Sequence, residues 1–267
     1  MNSYPPMGKV TVSYQKLQEE FNNIKNSINQ ASKCKQDIFQ IYRNNPQIQK
    51  QLDRLVSLKS NDGRTAIHLA VQDGNIDIAI LLAHKGEDIT TRINDSLLHT
   101  AAKAGHTDMI NFLIYDCEVN VNIKNKYGET PLHYAAQKGL RDTVRLLISN
   151  GADVKSIAAG RLTPLHYAAK EGHIEVVRAL IRSGAKIDAT TSCGQTPLHL
   201  AIEKKHLEVI MELIKKTAES ETEKREEIST KKEFTEVVPA SLPTNSNIKS
   251  SYRPQSLQPN PRLRCNL

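Results

Sequence analysis

Five times along the middle of the chain, a small-residue stretch is followed by apolar residues at helical spacing. The apolar groups are Ile78/Ala79/Leu82/Ala83, Met109/Ile110/Leu113/Ile114, Thr143/Val144/Leu147/Ile148, Val176/Val177/Leu180/Ile181 and Val209/Ile210/Leu213/Ile214. Their offsets lie on one face of a helix, which predicts five amphipathic helices. Ahead of them stand pairs such as Ala101-Ala102, Ala135-Ala136 and Ala168-Ala169, which predict short first helices that the second helices approach closely. No unit can bury its stripe alone, so the pattern predicts neighbours that stack.

Outside this region the pattern changes. Tyr14, Leu17, Phe21, Ile24, Ile28 and Ala31 step by three and four, predicting an amphipathic helix with a narrow seam. Asn45-Pro46 opens a second helix carrying Ile48, Leu52, Leu55 and Val56, ending near Ser60. Residues 46–59 are expected to cover the first unit; a coiled coil or partner-binding helix over 14–42 is the alternative. Residues 237–267 carry five prolines among Ser, Asn and Gln and are expected to be disordered. The longest apolar run is six residues, Ile78 to Ala83, far below the ~20 of a membrane-spanning helix. Residues 1–15 lack the apolar core of a secretory signal.

The small-residue stretches share a signature. Thr65-Ala66-Ile67-His68-Leu69-Ala70, Ser96-Leu97-Leu98-His99-Thr100-Ala101 and Thr130-Pro131-Leu132-His133-Tyr134-Ala135 are followed by Thr163-Pro164-Leu165-His166-Tyr167-Ala168 and Thr196-Pro197-Leu198-His199-Leu200-Ala201. The histidines stand 31, 34, 33 and 33 residues apart. Thr before Pro is a helix start, with the hydroxyl as cap and Pro in the first turn. Gly74, Gly105, Gly139 and Gly172, six residues after each of the first four histidines, suit a left-handed turn between the helices. This pattern resembles the ankyrin repeat over residues 61–216. The resemblance implies an all-α fold: a solenoid of helix–turn–helix units with short β-hairpin turns, preceded by N-terminal helices and followed by a disordered tail. The expected organisation is a flexible segment 1–12, a capping helical segment 13–60, the repeats, and 217–267 as a charged helix extension running into the tail.

The units are not uniform. The step from Ile89 to Ser96 is two residues shorter than that from Val154 to Thr163, predicting a shortened tip. Repeat 2 has one extra residue before Val121, and repeat 4 has Gly160 one place early, followed by Arg161. Repeat 5 carries Lys205 and Thr217 where glycines are expected. That suggests a C-terminal cap whose outer face turns polar and whose helix continues into 218–227.

Chemistry is sparse. The signature histidines would sit in successive layers, so they cannot gather round one ion; a structural hydrogen bond across the hairpin loop is expected instead. His106, His173 and His206 read as polar residues following the inter-helix turn. The four cysteines, Cys34, Cys117, Cys193 and Cys265, form no close pair and read as free thiols in a reducing compartment. The Asn94-Asp95-Ser96 sequon is read as unused. No phosphate loop, nucleophile elbow or metalloprotease motif occurs, so no catalytic residue, metal, cofactor or small-molecule substrate is expected.

Charge adds one alternative. The chain carries net +7, but residues 1–60 hold nine Lys/Arg against four Asp/Glu while the repeats are balanced. The basic segment allows binding of a polyanion, a nucleic acid or an acidic membrane surface, yet its lysines are dispersed and nucleic acid is not the favoured partner.

In the ankyrin family, partners usually lie along the concave side, built from hairpin tips and the exposed ends of the first helices. Carried onto this chain, that implies Arg92, Ile93, Lys126, Tyr127, Glu129 and Leu162 at tips. On first helices it implies Lys103, Gln137, Lys138, Lys170 and Glu171. Tyr127, Ile93 and Leu162 are read as apolar positions with no role in the stack, hence as anchors. The expectation is a cytoplasmic, monomeric, non-catalytic module binding a protein partner. A bacterial effector acting on host proteins is a further alternative.

Overall fold

The computed structural model describes residues 10–31, 38–86 and 96–236. Arg92 and Ile93, the shortened tip, the sequon's first two residues, the first nine residues, Cys34 and the tail with Cys265 lie outside them. The chain divides into two units, Met1–Glu221 and Thr222–Leu267. Within the second, only the continuation of one helix, to Glu236, is described.

The N-terminal part holds β1 (Val10–Val12), α1 (Tyr14–Ala31), α2 (Ile38–Asn44), α3 (Pro46–Val56) and β2 (Leu58–Ser60). Five helix pairs follow. They are α4 (Ala66–Gln72) with α5 (Ile76–His84), α6 (Leu97–Ala104) with α7 (Thr107–Asn111), α8 (Pro131–Gln137) with α9 (Arg141–Ser149), α10 (Pro164–Glu171) with α11 (Ile174–Arg182), and α12 (Pro197–Glu203) with α13 (Leu207–Glu236). First helices pack on first helices from α4 through α12, and α7, α9 and α11 pack on one another. The predicted stripes form the core: Ile78, Leu82, Ile110, Leu113, Val144, Leu147, Val177, Leu180 and Leu213 are fully buried. The alanines allow that approach, since Ala101, Ala102, Ala135, Ala136, Ala168 and Ala169 are all at 0% exposure.

Segment 10–12 departs from the flexible segment expected there. Val10–Val12 pairs in parallel with Leu58–Ser60, in the register Val10 to Leu58 and Val12 to Ser60. The seam of α1 is not left open for a coiled coil. Leu17, Phe21, Ile24 and Ile28 are buried, and α1 packs on α3 and on α4. Lys25 reaches Asp73 at the end of α4 (2.8 Å), and Lys85 after α5 reaches Asp53 of α3 (2.6 Å). The cover on repeat 1 therefore includes α1 as well as residues 46–59.

The extra residue of repeat 2 is absorbed as a π-helical turn, Phe112–Asp116, that continues α7. Insertion into a helix without unfolding it takes this form. The C-terminal end corrects an expectation. The outer face of repeat 5 does not turn polar: Ile202, Leu207, Met211 and Ile214 are 54%, 72%, 72% and 52% exposed.

Candidate functional site

The hairpin tips ahead of repeats 3, 4 and 5 (tips 3, 4 and 5) are each set by two backbone bonds: Asn125 N–H to Glu129 O with Gly128 N–H to Asn125 O, Ala158 N–H to Leu162 O with Arg161 N–H to Ala158 O, and Thr191 N–H to Gln195 O with Gly194 N–H to Thr191 O. Adjacent tips are tied by Ala159 N–H to Tyr127 O and Ser192 N–H to Gly160 O, both 2.8 Å. Three of the signature histidines, His99, His133 and His166, then join one tip to the next. Thr130 N–H donates to His133 Nδ1 (3.0 Å), so that nitrogen carries no proton. The proton is on Nε2, which donates to Leu162 O (3.3 Å). His99 does the same to Glu129 O (2.9 Å) and His166 to Gln195 O (3.2 Å). Burial, only partly offset by the bond to Leu162 and by Glu129, pushes His133 down to about 4. His166 is lowered for the same reason. The second set of histidines also works between layers. His106, His173 and His206 donate Nε2–H to Gln72 O, Gln137 O and Lys170 O of the preceding repeat, each at 2.9 Å.

On this frame a polar and aromatic network crosses repeats 2 to 4. The Asn125 Oδ1 accepts from Tyr127 N–H (2.9 Å) and Glu129 N–H (3.0 Å), which shapes the tip. Its Nδ2 donates to Glu129 Oε2 (3.0 Å) and contacts the Tyr134 hydroxyl (3.2 Å). The Tyr167 hydroxyl donates to Glu129 Oε1 at 2.5 Å. Burial alone would raise the Glu129 carboxyl; the bonds from Tyr167, Asn125 and Tyr134 outweigh it and hold it below the usual range. Burial and the adjacent carboxylate push the Tyr167 phenol well up. The pair therefore stays as carboxylate and neutral phenol at physiological pH. His99 and His133 meet Tyr134 and Tyr167 edge to face, with ring centroids 5.6 and 5.5 Å apart.

The predicted residues separate into two groups. Lys103, Lys126, Tyr127, Lys138, Lys170 and Glu171 are exposed. Lys103 lies over the Tyr134 ring (5.7 Å) and Lys126 over the Tyr127 ring (4.9 Å). Tyr127 is 56% exposed. Glu129, Gln137 and Leu162 are half-buried. Glu129 is a brace between tip 3 and α10 rather than an open contact. Leu162 is a tip residue, as expected, and its carbonyl accepts from His133. Tyr134 and Tyr167 were missed. The signal was present, because only repeats 3 and 4 have Tyr directly after the signature His.

Beyond tip 3, a cleft of about 400 Å³ opens between tips 4 and 5. Lys155, Arg161 and Lys186 line it with one acid, Asp188, and the half-exposed Ile157. Among the described residues no three His, Cys, Asp or Glu side chains gather as a metal site. Burial, with Asp116 beside it, raises the Cys117 thiol, so it stays protonated and a poor nucleophile. No described helix is long and apolar enough to cross a membrane.

Comparison with known proteins agrees with this geometry. A family model described as ankyrin repeats, three copies, matches residues 91–158 and 156–224, and a single ankyrin-repeat model matches 62–95. Among curated proteins, Delta-latroinsectotoxin-Lt1a of Latrodectus tredecimguttatus is 37% identical over 84 residues, which is 30% of this chain and 7% of the toxin. Alpha-latrotoxin-Lhe1a of Latrodectus hesperus is 39% identical over 82 residues, 30% of this chain and 6% of the toxin. The chain thus spans only a small part of the relatives it matches.

Proposed function

We propose, from the premise that this chain belongs to the ankyrin-repeat family, that it is a non-catalytic module holding a protein partner. The working face is made by tips 3 and 4 and the first helices of repeats 2 to 4. The observation that supports this most is Tyr127. Its ring is more than half exposed at a tip whose backbone is held by Asn125 and by the bond from Ala159. A large ring presented on a rigid frame binds at low entropic cost, which is the property of an interface anchor. Lys126 lies over this ring, Lys103, Lys138 and Lys170 are exposed on the first helices of repeats 2 to 4, and the carboxylate of Glu129 is already engaged by Tyr167 and Asn125.

No observation favours the polyanion reading. Lys25 is committed to Asp73, and Lys9, Lys33 and Lys35 lie outside the described residues.

The test is affinity enrichment from cells of the source organism with the full chain and three variants. Tyr127→Ala is expected to weaken capture by more than about 1 kcal/mol. Lys138→Ala should chiefly slow association and soften its salt dependence. Arg145→Ala, on the exposed side of α9, should change little. A dominant loss at Arg145 with Tyr127 silent places the interface on the second helices and overturns this reading.

A further inference from the structure

Half of the large apolar side chains exposed among the described residues belong to repeat 5: Ile202, Leu207, Met211 and Ile214. Their positions explain the exposure. Three residues after the signature His, where Ile202 stands, the earlier repeats have Val71, Ala102, Ala136 and Ala169, each at 0% exposure. Eight, twelve and fifteen residues after it, where Leu207, Met211 and Ile214 stand, repeat 1 has Ile76, Ile80 and Ala83, all packed against the core. The position three after the His is thus covered in every other repeat and open in repeat 5, which fills it with a larger side chain than the alanines of repeats 2 to 4. At eight and twelve the inner repeats differ, since Arg141 and Arg145 of repeat 3 are exposed; repeat 5 places the apolar Leu207 and Met211 there instead.

We propose that this face docks on the same face of a second copy of the chain, with α13 antiparallel to its counterpart across a two-fold axis beside Met211. Two observations select a second copy and this arrangement. First, the opposite end of the stack is already closed, because Leu17, Phe21 and Ile24 of α1 are buried there at 0%, 0% and 1% exposure. A head-to-tail contact has no matching surface, so the self-association available is the closed, isologous one. Second, α13 is self-complementary about Met211. Leu207, Met211 and Ile214 fall on one helical face, and an antiparallel partner sets Leu207 against Ile214 of the second copy and Met211 against itself. In the same register Glu208 meets Lys215 of the second copy. Both are exposed, and among the described residues neither forms an ion pair. Glu208 lies three residues before Met211 and Lys215 four after it, so a two-fold axis places these unlike charges on the same flank within about 1.5 Å in height, twice per dimer.

The test is sedimentation velocity of the full chain from about 1 to about 200 µM, a range that brackets a micromolar Kd. The wild type is expected to pass from monomer to dimer across it. Met211→Glu, which puts two like charges on the axis, should remain monomeric throughout with an unchanged far-UV spectrum. Glu208→Lys and Lys215→Glu alone should each weaken the dimer about tenfold, and the two together should return it to near wild type, the signature of a pairwise contact. A wild-type chain that stays monomeric overturns the proposal. If that monomer also shows slow amide exchange over 202–214, its own C-terminal residues cover the face instead. A dimer that survives Met211→Glu, or a double swap as weak as the single changes, equally overturns it.

Discussion

The histidines carry two kinds of information at the scale of single residues. The imidazoles of His99, His133 and His166 are hydrogen-bond relays whose Nδ1 must accept and whose Nε2 must donate, so only the neutral form fits. His133 is the clearest case, with its folded value pushed to about 4 by burial against an ordinary 6.5. A depressed value means the unfolded chain takes up the proton first as pH falls. The stabilisation from neutral His133 is complete above about 6.5 and is lost progressively down to about 4, a loss of about 3 kcal/mol at ~1.4 kcal/mol per unit. Urea melts between pH 7.5 and 4.5 are therefore expected to show a falling midpoint. His133→Gln should lower stability at pH 7.5 and flatten the pH profile. An unchanged slope in that variant would assign the acid sensitivity elsewhere. Glu129 acts in a lower window, since its carboxyl is held below the usual range and its contribution goes only as pH falls through that depressed value. Neither the relay nor the brace was fully legible in the sequence. The bond across the loop follows from His at a fixed place in each unit. The Glu129–Tyr167 contact spans two repeats: the Tyr after the signature His sets repeats 3 and 4 apart, but nothing in the sequence pairs Tyr167 with Glu129.

Within the helix pair, three of the four inter-helix glycines meet the following repeat's histidine, while Gly105 meets Leu140. Gly139 has φ +70°, and a Cβ built there would lie 2.5 Å from the His173 ring; Gly74 and Gly172 are crowded in the same way by His106 and His206. Glycine is thus required twice, for the left-handed turn and for the ring laid over it. Gly151 has φ +84° but nothing within 4 Å of the place a Cβ would take, so only the first reason applies. Gly151→Ala should cost about 1 kcal/mol from backbone strain. Gly139→Ala adds the displaced ring and its bond to Gln137, for about 3 kcal/mol in all. Equal midpoints for the two variants in urea would remove the packing role of His173. Three positions break the glycine rule: Glu118, Arg161 and Lys205 hold φ of 53°, 60° and 60° where aligned repeats have glycine. Lys205 was visible as a departure by counting from His199. Glu118 was hidden by the extra residue just before it, which became the π-helical turn rather than a longer loop. Arg161 was visible as the residue after an early Gly160, but not that both would hold the left-handed region, Gly160 at φ 70°.

The whole stack is decided at its ends. Every inner layer has the same partner on both sides, which is why the apolar stripes and the 33-residue period carried most of the fold in the sequence. The ends have no such repetition to read. The seam of α1 was visible as a three-four step, but its destination was not, because a narrow apolar seam serves a coiled coil and a cap equally well. The open face of repeat 5 was invisible for the opposite reason. Leu207 and Met211 lie off the stripe positions, but an apolar residue there reads as one more contact until the structure shows that, among the described residues, no further layer covers it. The asymmetry gives a prediction about how stability is distributed. In a stack held by nearest-neighbour contacts, losing a cap destabilises the adjoining repeat first. Phe21 is at 0% exposure within the N-terminal cover, and removing its ring should cost about 3 to 5 kcal/mol locally. Phe21→Ala is therefore expected to speed amide exchange in α3, α4 and α5 while leaving α10 and α11 near their wild-type rates. Faster exchange spread evenly over all five repeats would mean that the chain unfolds as one cooperative block and that α1 is part of a common core rather than a lid on its first layer.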